Sequence, residues 1–144
     1  MNDLLIHSSN LETTKDQGKA LSAMLKTNEV MFRKQLDDLA VQLWYQYVSE
    51  DIKAGKFNWE EALLALKNHV KVGRFFPVYN DLYVKACELA EPRISSLKEK
   101  VSDLVYGNDL DDKDRHRREV EYNKVRNGKM TIEDFIKACE NGSV

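Results

Sequence analysis

Apolar positions along this chain recur every three or four residues, the spacing of helix faces, and polar side chains fill the intervals. The strongest run carries Phe32, Leu36, Leu39, Leu43 and Tyr47, flanked by Ala40 and Trp44, while Arg33, Lys34, Asp37, Asp38 and Gln42 fall on the wet side. This predicts one helix over 28–53, with Asn28 as its cap and Gly55 as a left-handed stop. Ahead of it, Ala20, Leu21, Met24 and Leu25 give a weaker pattern containing Gly18, which predicts a short helix within 14–25.

Asn58-Trp59-Glu60-Glu61 has the form of a capping box, in which Asn58 accepts from the helix start and Glu61 reaches back to the Asn58 N–H. The helix that follows turns Ala62, Leu63, Leu66 and Val70 inward and ends at Gly73. A loop rich in aromatics comes next, Gly73-Arg74-Phe75-Phe76-Pro77. Arg74, Phe75 and Phe76 are candidate docking residues, since exposed aromatics around a proline are costly unless they enter the core or meet a partner. Asn80 is placed to cap a further helix with Leu82, Tyr83, Ala86, Leu89 and Ala90 inward, expected to close at Glu91-Pro92. Another helix, with Ile94, Leu97, Val101, Leu104 and Val105 in register, is expected to run to Tyr106.

Gly107 to Asp112 reads as a polar hinge, and it sets the expected organisation: an N-terminal arm over 1–15 holding the apolar patch Leu4-Leu5-Ile6, a helical domain over 16–107, and a hinge with a C-terminal tail over 108–144. Within the tail, 113–126 carries six basic side chains against three acidic ones and only three sizeable apolar groups, too few to sustain a lone helix. After Asn127-Gly128, Thr131 caps a last helix in which Ile132, Phe135, Ile136 and Cys139 form a compact stripe. Such a stripe needs a groove, on its own domain or on another protein. The fold class expected is all-α, a small helical bundle.

Charge and chemistry narrow the function. A net charge of -2 argues against nucleic-acid binding through bulk charge, although the local run 115–126 keeps a nucleic-acid regulator as an alternative. Cys87 and Cys139 sit in no zinc-binding spacing, and a reduced, cytoplasmic setting is expected. No glycine-rich phosphate loop, GxSxG elbow, HExxH helix or EF-hand loop occurs, so neither enzyme chemistry nor a cofactor is expected. Asp37-Asp38 and Asp111-Asp112 are adjacent carboxylates, read as solvated faces or hinges. A helical adaptor or scaffold is a further reading.

The order LWYQYV, WEEALLALKNHV and GRFFPVYNDL over 43–82 resembles the small helical phage proteins that load, and in the free state inhibit, the replicative DNA helicase. The chain departs from that pattern at Val78, where a small hydroxyl residue is usual, and Asp81-Leu82 matches its acidic-apolar pair loosely. The resemblance implies a non-enzymatic, ATP-independent replication protein with a hexameric helicase as its partner, and further contact with an initiator or single-strand-binding protein. It also implies that the tail makes the helicase contact, with Ile132, Phe135 and Ile136 as anchors and with Arg115, Arg117 and Arg118 steering the encounter.

Overall fold

The computed structural model describes residues 14–107 and 110–142, and among them it contains six helices and no strand, the all-α fold expected. The expected arm over 1–15 lies mostly outside the described residues; what is described of it begins the first helix, α1 (Thr14–Phe32). That helix is longer than its weak pattern suggests, because Ala20, Leu21, Met24 and Leu25 are all buried against the later helices.

The expected break at Asn28 is absent. Asn28 is a fully buried interior residue of α1 whose side-chain amide donates to the Met24 carbonyl (2.9 Å) and across to the Leu66 carbonyl (3.3 Å). The chain breaks instead at Arg33, which adopts φ 51°, while the Lys34 N–H returns to the Glu29 carbonyl at 3.0 Å. This is a Schellman-type end made without glycine. The Glu29 carboxylate then accepts from the Leu36 N–H, and Asp37 caps α2 (Asp38–Lys53) by accepting from the Ala40 N–H at 2.8 Å. The Asp37-Asp38 pair is therefore a helix start, and both side chains remain exposed to solvent.

Gly55 closes α2 at φ 77°, as expected. The capping box at Asn58 and Glu61 is present in both directions and opens α3 (Trp59–Val72), which packs against both α1 and the next helix. Helix α4 (Tyr79–Tyr106) is capped at Val78, whose N–H donates to Asp81 at 2.9 Å, rather than at Asn80. It also runs unbroken through Pro92. Pro92 is exposed, so its ring and missing N–H disturb only the wet face, while Ala90 and Ile94 hold the inner face and Arg93 ties to Glu61 at 2.7 and 3.0 Å.

Two apolar clusters are strung along this helix. The first gathers α1, α2, α3 and the early part of α4 around Phe57, Leu66, Leu82 and Ala86. The second joins Val101 and Val105 of α4 to α5 (Asp112–Arg126) and α6 (Ile132–Glu140) through Tyr122, Val125, Phe135 and Cys139. The segment after Gly107 thus folds back onto the chain's own long helix, and α5 obtains from that packing what its composition lacks. The Gly107–Asp112 hinge is in part a helix start, since Asp111 caps α5 through the Asp114 N–H at 2.7 Å; residues 108 and 109 lie outside the described residues.

Candidate partner-binding surface

Leu39, Leu43 and Tyr47 lie four residues apart and share one face of α2, which is left uncovered: Leu39 is 64% exposed and Tyr47 43%. Beside that face runs the loop between α3 and α4. Pro77 is buried, Phe76 half-buried against the core, and Val78 exposed. Between α2 and the loop lies a groove of about 310 Å³, lined by Leu36, Leu43, Tyr47, Phe76, Val78 and Tyr79 among others. Contiguous apolar surface of this kind marks interaction sites on a small protein.

Three sets of contacts hold the groove in shape. The edge of Trp44 meets the Tyr79 ring at 5.5 Å, and Tyr47 lies 5.3 Å from the same ring. The Tyr79 hydroxyl sits 2.6 Å from an Asp51 carboxylate oxygen and 3.1 Å from the Tyr47 carbonyl. Burial, and then the Asp51 bond and charge, push the Tyr79 pKa far above the usual tyrosine range, so its ring stays neutral at every physiological pH. The third contact is on the loop: His69 bonds the Phe75 carbonyl at 2.8 Å through Nε2, which therefore carries a proton, and its ring leans on Phe32.

Charge divides the groove lengthwise. Lys34 stands at one end with its ammonium 5.8 Å from the Phe76 ring centre. At the other end Tyr47 and Tyr79 also line a smaller recess of about 230 Å³ with Glu50 and Asp51. The groove is thus lined mostly by apolar side chains, with a basic group at one end and acidic ones at the other. Among the described residues no group of three or more His, Cys, Asp or Glu is placed to hold a metal ion, and no helix is long and apolar enough to cross a membrane.

Of the candidates picked from the sequence, Arg74 and Phe75 are exposed, Phe75 at 79%, and Phe76 forms part of the groove wall. The tail candidates are placed otherwise. Phe135 is 0% exposed inside the second cluster, Ile132 packs against it, and Ile136 is half-buried. Phe135 is a core residue, because the stripe of α6 found its groove on α4. Arg115 and Arg118 are spent on the chain itself: Arg118 donates to the Leu104 carbonyl at 2.7 Å, and Arg115 to Gly107 and Leu110 carbonyls at 3.4 Å and to Asp112. Arg117 pairs with Asp114. Arg115 and Arg118 fasten the α4–α5 connection where steering charges are expected, whereas Arg117 stays exposed and pairs only within its own helix.

Leu39, Leu43 and Tyr47 were missed as site residues. Their spacing was read as the buried face of a helix, and the usable signal was that Trp44 and Val48 supply α2 with a second, competing apolar face. Comparison with protein-family models, with curated proteins and with solved structures gives no match.

Proposed function

We propose that this chain is a non-enzymatic phage DNA-replication protein that binds a hexameric replicative helicase and loads or inhibits it. The observation that carries the reading is convergence. Two of the three stretches on which the resemblance to helicase loaders rests, LWYQYV and GRFFPVYNDL, lie more than twenty residues apart in sequence, yet Leu43, Trp44 and Tyr47 of the first and Phe76 to Tyr79 of the second build one groove. Leu43, Tyr47, Phe75 and Val78 of these stretches end at the surface, while Trp44, Val48, Pro77 and Leu82 are buried, so the stretches serve the core and also leave an apolar edge for a partner.

The partner contact is accordingly assigned to the α2–loop groove, with Phe75 and Arg74 at its rim, and not to α6. Binding there requires no nucleotide: an apolar ligand segment fills the groove, Lys34 and Asp51 fix its direction, and the energy of that contact biases the helicase ring toward one of its states. Initiator or single-strand-binding protein contacts, if the family pattern holds, use other faces.

The test is direct mixing of the purified chain with purified hexameric replicative helicases, read by light scattering for a complex and by the helicase's ATPase and unwinding rates. A complex that changes those rates, and that is lost in Leu43→Asp, supports the reading. Absence of any complex at tens of micromolar overturns it.

A further inference from the structure

The uncovered face of α2 is balanced about its centre. Leu39 and Tyr47 stand four residues before and after Leu43, which is 38% exposed, and Leu36 and Glu50 stand seven residues before and after it. With 3.6 residues to the turn, Leu39, Leu43, Tyr47 and Glu50 fall within about 80° of one another around the helix. The two ends of the face are opposite in sign. Lys34 lines the groove at the first, while Glu50 and Asp51 line the recess at the second, and neither Lys34 nor Glu50 forms an ion pair among the described residues. The acids nearest Lys34 in sequence are occupied or turned away: Glu29 and Asp37 accept from the Leu36 and Ala40 N–H groups, and Asp38 lies about 140° round the helix from Leu43. Lys53, the cation nearest Glu50 in sequence, lines neither the groove nor the recess.

We infer that the groove's occupant in the free protein is a second copy of this chain, in a two-fold antiparallel dimer with Leu43 at its axis and Lys34 of each copy against Glu50 and Asp51 of the other. A patch that is apolar at its centre and opposite in charge at its two ends is complementary to itself only when one copy is turned end for end, which is the operation of a two-fold axis. Leu39 of one copy then faces Tyr47 of the other, the Lys34 to Glu50 contact forms twice, and the two α2 dipoles oppose. A parallel pairing would set like charges together. The face is one side of a single helix with the loop edge at Val78, smaller than a standard interface, so the dimer dissociates at micromolar concentrations. The inference stands on the charge and shape of this face and not on the helicase reading; if a helicase uses the same groove, dissociation precedes that contact.

The experiment is sedimentation velocity on the full chain at low salt, from a few to several hundred micromolar, with far-UV circular dichroism of each variant as the check on folding. The expected mass rises from 16.7 kDa to twice that value and no further, and the rise weakens with added salt. Leu43→Asp stays monomeric. Lys34→Glu and Glu50→Lys each place like charges together at both ends of the interface and weaken association about 10-fold. The Lys34→Glu/Glu50→Lys double variant, in which the two charges are exchanged, recovers it. A monomer at every concentration, growth beyond the dimer, a dimer that survives Leu43→Asp, or a double variant no stronger than the single ones overturns the inference. No helicase is present in the sample, so a chain that dimerises in this way and binds no helicase loses only the helicase reading, and a helicase-binding monomer loses only this one.

Discussion

The Asn127 side-chain amide donates a 3.0 Å hydrogen bond to the Ile52 carbonyl, joining the end of α5 to the end of α2 across 75 residues of chain. Asn127 is itself buried, its carboxamide oxygen accepts from the Lys129 N–H, and Asn123 packs against Gly55 so closely that a Cβ there would meet its oxygen at 2.8 Å. The C-terminal helices are thus fixed at two places, on the late part of α4 and on the α2–α3 turn. A detachable tail would have neither attachment.

This attachment makes Phe135 a stability residue for the whole chain. Phe135→Ala empties a fully buried site and is expected to cost about 3–5 kcal/mol. Both tryptophans belong to the first cluster, so urea unfolding followed by tryptophan fluorescence reports on the part of the fold that Phe135 does not touch. The fluorescence midpoint is expected to fall together with the far-UV circular dichroism midpoint. A fluorescence transition that stays in place while the dichroism transition moves would mean that the two clusters unfold independently.

At the proposed partner surface the opposite separation is expected. Phe75 is largely exposed and its substitution removes little packing, so Phe75→Ala and Val78→Asp should each change unfolding free energy by no more than about 0.5 kcal/mol. If the groove is the helicase contact, at least one of them loses about 2 kcal/mol of binding, near 30-fold in Kd. Urea unfolding reads the first number and calorimetric titration against the helicase the second. Binding at full strength by both variants would move the contact elsewhere.

The helix content, the capping box at Asn58 and Glu61, the stop at Gly55 and the inward faces of α3 and α4 were legible because each rests on local chemistry. What was not legible depended on distant partners. Nothing near Asn28 in sequence says that the Leu66 carbonyl waits for its amide, and nothing near Pro92 says that Glu61 will hold Arg93 on the far side of the proline. The site was half legible for the same reason. The aromatic loop is marked by composition, whereas the exposure of Leu39 and Leu43 and the burial of Phe135 were decided by which of two apolar faces α1, α3 and α4 had room to accept.

Alkaline pH provides a readout of the Tyr79–Asp51 contact. Because burial and Asp51 raise the folded-state pKa of Tyr79 above its value of 10.0 in an unfolded chain, the native protein holds one proton more than the unfolded chain once the pH passes about 10. Stability is therefore present in full below pH 10 and falls as pH rises above it. Tyr83, raised chiefly by its neighbour Cys87 and then by burial, adds to the fall. Tyr79→Phe is expected to lose about 1 kcal/mol at pH 8, the hydrogen bond, and to decline less steeply above pH 10, by up to about 1.4 kcal/mol per pH unit for one proton. Urea midpoints from pH 8 to 11 give both slopes.

Arg33 offers the most local test of how the chain turns from α1 into α2. It holds φ 51°, a conformation that brings an L-residue's Cβ against its own carbonyl and costs about 1–2 kcal/mol, whereas glycine has no Cβ to clash. The turn is nevertheless fixed from outside, by the Lys34 N–H on the Glu29 carbonyl and by the Glu29 carboxylate 2.6 Å from the Leu36 N–H. Glycine gains the released strain but also loosens the unfolded chain, which returns part of the benefit. The balance favours Arg33→Gly being more stable by about 0.5–1 kcal/mol, with the groove next to Lys34 unchanged. A destabilised Arg33→Gly would show that the arginine side chain holds the turn through contacts of its own, and Arg33→Ala, which keeps the backbone penalty and removes those contacts, would then be weaker still.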